Sequence, residues 1–357
     1  MNGDFEAGAL LPDGLVAAMA GRAAGLDASA GFPGEDLAAL AAAGLVMGPL
    51  PCRLGGLGMG TEAAGAGAMF AVLRRLGRGN LVVARLFEAH VNVVRLVVQF
   101  GTAAQLETVA GVCRGGAMFG LWVTDAPGQV LGMREGVLAG VKGPCSGAGH
   151  LRYALVTVRD GEAVRMALIG LRGDEAVEAM GERLQGMRGS GHGSVRLDGL
   201  VPDFLGGDGD YLREPDFSGG AWRTMAATVG GMEALLEAVR AQLVGRGHAG
   251  FTMQQARFGE MAISVETARL WTWEAGQRAE MRVEAGVRDV VAYVNLARIA
   301  VEAACLDLMR GAQRGLGLGA FVRPNAVERL LRDLAVYLRQ PAGDLVLTEA
   351  GAHLLGV

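Results

Sequence analysis

Apolar positions at helical spacing recur through the first third of the chain. Leu37, Leu40 and Leu45 mark one amphipathic run that ends at Gly-Pro-Leu-Pro, residues 48–51. A second covers about Glu62 to Leu76, and a third is VARLFEAHVNVVRLVVQFG, ending on Gly101 as a C-terminal cap. Thr102 has the chemistry of an N-cap for the next helix, which includes Gln105 to Val109. From residue 116 the period shortens. AMFGLWVTD, GVLAGVKGP, YALVTVRD, VRMALIGL and HGSVRLDGLVP are short β-rich runs separated by turns such as Arg159-Asp160-Gly161, Gly143-Pro144 and Gly189–Gly193. Such runs predict a compact antiparallel sheet or barrel, not a parallel βαβ sheet.

After residue 215 long helical patterns return. One covers about Trp222 to Arg246. A second carries Phe258, Met261, Val265, Ala268 and Trp271 on one face, and a third covers about Val287 to Arg314. The fourth is VERLLRDLAVYLRQPAGD, where Val327, Leu330, Leu331 and Leu334 share a face and the helix should stop at or before Pro341. Four long helices with short connections predict a four-helix bundle. The expected fold is therefore α+β and mainly α, with an N-terminal helical domain (1–115), a middle β domain (116–215) and a C-terminal bundle (216–357).

Composition narrows the picture. The 357 residues are 51% hydrophobic and 20% charged, which suits a globular protein with a large core. A net charge of −4 gives no bulk electrostatic reason to expect nucleic acid. Lys142 is the sole lysine, and the 58 glycines follow no collagen period; both fit a coding bias. Cys52, Cys113, Cys145 and Cys305 form no metal-ligand spacing and suggest buried thiols of a reducing, cytoplasmic compartment. The five histidines give no zinc motif, so no metal is expected. The start lacks a signal-peptide pattern, and apolar runs break before the about 20 residues of a membrane span.

The order of helices, β region and bundle resembles the acyl-CoA dehydrogenase superfamily over most of the chain. LGRGNLVVARLFEAHVNVVRLVVQFGTAAQ is similar to the family's third and fourth helices, and FGLWVTDAPG (119–128) to its flavin-facing strand. GVLAGVKGPCSGAGHLRYALVTV (136–158) resembles the strand pair that follows. GMRGSGHGSVRLDGLVP resembles the strand closing the β domain, and RFGEMAISVETARLW and VERLLRDL resemble bundle helices. The resemblance implies FAD between β domain and bundle, with Trp122, Val123 and Thr124 lining the flavin ring and Ser146 beside its N5. It also implies an acyl thioester or other hydrophobic substrate, met by Arg223, and a homodimer or homotetramer. The glycine run RGLGLGAF, including Gly317, lies where a family loop approaches a neighbour's adenosine diphosphate. From the residues alone, Thr124 equally fits a turn cap, Arg223 a surface arginine at a helix start, and His192 a turn residue.

The sequence also departs from the family. Dehydrogenation there needs a carboxylate to remove the α-proton of the thioester, usually a Glu shortly after the Arg-Asp of the last long helix. Aligning Arg332-Asp333 places Pro341 at that position, and proline cannot take a proton. The alternative family position falls near Ala221 or Trp222, again with no carboxylate; Glu233 and Glu237 lie further along the helix. Pro144 stands where an aromatic covers the ring, and GRGHAGFTMQQ lacks the family's inter-subunit arginine run, leaving Arg246 as a candidate pyrophosphate contact. Three readings follow: an FAD-dependent acyl-CoA dehydrogenase-like oxidoreductase with an unidentified base, a flavin monooxygenase on the same fold, or a homologue without catalysis that binds or supports a partner.

Overall fold

The computed structural model describes residues 10–281 and 286–357. Five helices open it: α1 (Asp13–Ser29), α2 (Gly34–Ala42), α3 (Ala66–Gly79), α4 (Leu81–Phe100) and α5 (Ala103–Arg114). Nine strands follow, β1 (Phe119–Trp122), β2 (Gly132–Arg134), β3 (Val137–Ala139), β4 (Val141–Cys145), β5 (Tyr153–Asp160), β6 (Ala163–Gly170), β7 (Val177–Ala179), β8 (Gly193–Arg196) and β9 (Asp203–Leu205). The chain then forms α6 (Asp216–Gly219), α7 (Ala221–Gly245), α8 (Thr252–Met281), α9 (Val287–Leu316), α10 (Ala326–Tyr337) and α11 (Gly343–Leu355). Among the described residues no helix is long and apolar enough to cross a membrane.

The caps set the helix boundaries. Thr102 Oγ1 accepts from the Gln105 amide at 3.2 Å, and Gln105 Oε1 accepts from the Thr102 amide at 2.9 Å, a reciprocal capping box. Gly101 ends α4 as expected but in extended backbone (φ −81°, ψ 160°) rather than a left-handed cap. It is tight instead, since a Cβ there would lie 2.6 Å from the Val97 carbonyl oxygen.

The β region forms two sheets. The β5–β6 hairpin turns through Gly161 (φ +66°), and β6 continues antiparallel to β9; β4, β8 and β7 make the second, antiparallel sheet. Most pairings are antiparallel, as expected, but β1 lies parallel to β5 in register Phe119↔Tyr153 to Trp122↔Val156, and β2 meets β5 in parallel at Gly132↔Arg159. Alternating side chains specify a strand and its buried face, not which neighbour it meets.

The helix of the VERLLRDL stretch ends at Tyr337, before Pro341 as expected, and beyond the proline the chain adds a further helix, α11. This helix packs on α9 yet buries only Ala350, so its apolar residues form no single face that spacing alone would reveal. One hydrophobic cluster joins α3, α4 and the bundle, and a smaller one with Trp122, Leu138, Val156 and Val195 fills the β region.

The Arg332-Asp333 pair fastens these layers together. Arg332 donates to both carboxylate oxygens of Asp27 (2.9 and 2.6 Å), to Glu328 (2.6 and 2.9 Å) and to the Gln185 carbonyl (2.7 Å). Asp333 accepts from the Met187 amide (2.6 Å) and from Arg329 (2.9 Å). The last long helix thereby holds the loop before β8 in place.

Two histidines, His90 fully buried and His192 partly so, make this packing acid-sensitive. His90 on α4 lies between the Val46 carbonyl (2.8 Å from Nε2) and the Phe119 amide (3.3 Å from Nδ1), and burial pushes its pKa down to about 4. Since the Phe119 amide can only donate, Nδ1 is the acceptor and Nε2 carries the proton. Burial, then the Arg85 charge, takes His192 to about 4 as well. Both are neutral when folded, whereas the unfolded chain takes up protons below about 6.5. Stability is therefore full above that pH and falls as pH drops towards 4, by on the order of 3 kcal/mol per histidine. Urea unfolding at pH 7, 5.5 and 4.5 checks this. The curve should be shallower in His90→Gln, and a wild-type stability constant across the window would contradict it.

Candidate functional site

Helix α4 is buried almost all round, so its polar residues stand out. Arg85, Glu88, Asn92, Arg95 and Gln99 follow a 3-4-3-4 spacing, which places them on one stripe. All five line a cavity of ≈ 520 Å³. Its other walls are Leu121, Val123 and Thr124 at the end of β1, the Asp210-Tyr211 turn, α6 and the start of α7, Asn295 and Arg298 of α9, and the loop Gln340-Pro341-Ala342.

Side-chain partners organise the stripe. Arg85 pairs with Glu88, which also accepts from Asn92 Nδ2. Asn92 Oδ1 accepts from Arg223 Nε at 2.6 Å. Glu280 of α8, 4% exposed, accepts from Arg95 (2.6 Å), Arg223 (2.9 Å) and Trp222 Nε1 (2.8 Å). Arg95 also reaches Asp216 at 3.0 Å. Burial, then the neighbouring Arg95 charge, lowers Arg223 to about 10. The wall thus sets a network of paired charges among apolar residues that include Leu96, Phe100, Leu121, Phe217 and Val346.

Behind Thr124 stands Lys142. Its ammonium donates to Asp125 (2.5 Å), the Thr157 hydroxyl (2.9 Å) and the Val123 carbonyl (3.3 Å). Burial lowers its pKa, opposed by Asp125. The single lysine, which composition alone suggested was incidental, thus ties down the strand end that borders the cavity.

The residues expected to contact a flavin divide into two groups. Val123 and Thr124 line the cavity, and the Thr124 hydroxyl has no protein partner among the described residues. Trp122 and Ser146 lie behind the wall: Trp122 is 1% exposed in the β core and donates Nε1–H to the Ser146 carbonyl at 2.9 Å. Ser190 donates its hydroxyl to the Met187 carbonyl, so it accepts from His192 Nδ1. His192 Nε2 is left to accept from the Ser146 hydroxyl at 3.3 Å. This bonding makes His192 a fixed neutral link.

Arg223 lines the cavity from α7, where it is buried rather than a surface residue. Arg246 instead leans on its own chain, against the Leu316 carbonyl (3.4 Å) and Gln242 (3.1 Å). Gly317 caps the C-terminal end of α9, where the helix dipole is negative and does not favour phosphate. Pro341 reaches the cavity, and its carbonyl accepts from Arg298. Glu237 pairs at the surface with Arg240, and Glu233 with Arg74. Of the cavity's carboxylates, Glu88 was not anticipated, although the 3-4-3-4 polar stripe inside an apolar helix was a signal that could have found it.

The donor set fits a flavin ring in part. Thr124 offers a free hydroxyl at a strand end, and the volume lies in the range of small-molecule sites. Neither Gly317 nor Arg246 forms a phosphate cradle on this chain.

Residues 15–115 match the model of the acyl-CoA dehydrogenase N-terminal domain. No curated protein matches the sequence. Among solved structures, KijD3 in complex with FMN and dTDP-3-amino-2,3,6-trideoxy-4-keto-3-methyl-D-glucose is 19% identical, with a TM-score of 0.83 over 97% of this chain and 93% of that one. Butyryl-CoA dehydrogenase from Megasphaera elsdenii is 16% identical, with a TM-score of 0.83 over 99% and 98%. TdsC from Paenibacillus sp. A11-2, with FMN and indole, is 18% identical, with a TM-score of 0.82 over 98% and 97%.

Proposed function

We propose, from the premise that this chain is of the acyl-CoA dehydrogenase superfamily in its N-terminal domain and its fold, that it is a flavin-dependent oxidoreductase acting on a small polar molecule. The observation that carries this reading is the charged cavity: Arg85, Glu88, Arg95 and Arg223 line the wall, and Pro341, not a carboxylate, stands on the loop after the last long helix. These charges are paired with one another or with Glu280 and Asp216, and a polar substrate can use the donors and acceptors they leave spare, which an apolar acyl chain cannot. FMN in the KijD3 and TdsC structures supports flavin as the cofactor class for this one.

A bound flavin would supply two-electron redox chemistry. Thr124 would donate its hydroxyl to the carbonyl edge of the ring, held there by Lys142 through the Val123 carbonyl. Ser146 lies behind this wall and donates its hydroxyl to His192. Glu88 is the carboxylate placed best to hold or accept a substrate proton. It is 3% exposed, borders the cavity and is oriented by Arg85 and Asn92. Two or more subunits are part of this reading, because the phosphate end of the cofactor finds no cradle within one chain.

The test is titration of the purified protein with FMN and with FAD, followed by absorbance near the flavin bands and by protein fluorescence. Stoichiometric uptake is expected, weakened at least tenfold in Thr124→Val together with Lys142→Met. Reduced flavin should be consumed faster with oxygen and a polar amine or carboxylate than with butyryl-CoA. A protein that takes up neither flavin, or whose bound flavin is bleached by butyryl-CoA under anaerobic conditions, would overturn the reading.

A further inference from the structure

We propose that Arg298 and Asn295 of α9 form an anion subsite that binds the carboxylate of the substrate, so that the cavity selects small carboxylic acids. The proposal rests on the reading that this cavity is the substrate site. Four arginines line it: Arg85, Arg95, Arg223 and Arg298. Arg85 pairs with Glu88, Arg95 with Asp216 and Glu280, and Arg223 with Glu280. Among the described residues Arg298 alone of the four has no carboxylate within salt-bridge distance. The nearby candidate, Glu302, is held instead by Arg339 at 3.2 Å.

Its hydrogen bonds are also incomplete. Arg298 donates from one Nη to the Pro341 carbonyl, while its Nε is buried with no partner. Burial lowers its pKa, opposed only by the more distant charge of Glu302. A guanidinium in this state gains from an anion, and its planar fork suits a carboxylate in particular.

Asn295 lies one turn before Arg298 on the same face of α9. It is 3% exposed and lines the cavity, and its amide makes no side-chain hydrogen bond among the described residues. One cation and one amide with spare capacity therefore meet on a single wall. The other three arginines of the cavity are already committed to protein carboxylates, which leaves Arg298 as the cation open to a ligand. The loop carrying Pro341 serves this subsite: its carbonyl orients the guanidinium.

Calorimetric titration with succinate, dimethyl succinate and inorganic phosphate tests the proposal without requiring flavin or turnover. Succinate should bind measurably and dimethyl succinate at least tenfold more weakly. Arg298→Gln should weaken succinate at least tenfold and Asn295→Ala about threefold, whereas Arg298→Lys should retain most binding and the surface change Arg183→Gln all of it. Circular dichroism melting identifies any variant that fails to fold, and Arg298→Lys keeps the test open if Arg298→Gln does. No succinate binding, equal binding of the diester, or an unaffected Arg298→Gln would overturn the proposal. Phosphate binding tighter than succinate would overturn the carboxylate assignment. Flavin titration of the same samples reports separately on the broader function.

Discussion

Replacing Glu280 with alanine should cost about 3–5 kcal/mol of stability, the range for removing one partner of a buried ion pair. Glu280 is 4% exposed and receives Arg95, Arg223 and the Trp222 indole. Without it, two guanidinium groups lose their shared counter-charge, and Arg223, 3% exposed, is left with only the Asn92 amide oxygen. The damage reaches the cavity, because Arg95 and Arg223 both line it. Glu280→Gln keeps the shape and the acceptor oxygen while deleting the charge, so an intermediate loss of about 1–3 kcal/mol is expected. Urea unfolding of both variants at pH 7 checks the order. A loss below about 1 kcal/mol in the alanine variant would mean that the network adds little beyond its surroundings.

Gly230→Ala should destabilise by about 3 kcal/mol or more, although the same change in an open helix usually stabilises. A Cβ at Gly230 of α7 would lie 1.9 Å from the Arg74 carbonyl oxygen of α3. The contact is reciprocal, since a Cβ at Gly77 of α3 would lie 2.1 Å from the Ala227 carbonyl oxygen of α7. Backbone faces backbone at both points, so no side chain can swing aside. The helices would have to separate, opening the core around Leu73, Leu76 and Met232. Gly259 on the exposed face of α8 provides the control: a Cβ there meets nothing within 4 Å, and Gly259→Ala should stabilise by about 0.5–1 kcal/mol. Chemical denaturation of the two variants separates the cases by sign. A stabilised Gly230→Ala would show that α3 and α7 pack less closely than described.

Helix α4 shows how much of the site could be anticipated. Its ends are set by the Asn80 N-cap and the Gly101 C-cap, and its helical state by apolar spacing. The stripe Arg85-Glu88-Asn92-Arg95-Gln99 is equally local, and marks a face that must meet something polar. What it meets is not local. Glu280 lies 185 residues beyond Arg95, and nothing along the intervening chain pairs them. The resemblance singled out the strand Phe119–Trp122 and the residues after it, yet the inward turn of Trp122 and the outward turn of Thr124 depend on the β core that packs behind them.

The stretch VERLLRDLAVYLRQPAGD divides in the same way. Sequence alone determined an amphipathic helix, its end near Pro341 and the absence of a carboxylate on the loop, because these depend on side-chain period and on proline's fixed φ and missing N–H. It also determined the order of helices, β region and bundle. Tertiary structure decided that Arg332 and Asp333 clasp Asp27 and the 185–187 loop, that Pro341 offers its carbonyl to Arg298, and that the cavity wall is charged. The physical reason is range: backbone conformation and amphipathic faces are set by neighbours a few residues away, whereas the partner of a buried charge is whichever group the packed helices bring within hydrogen-bonding distance.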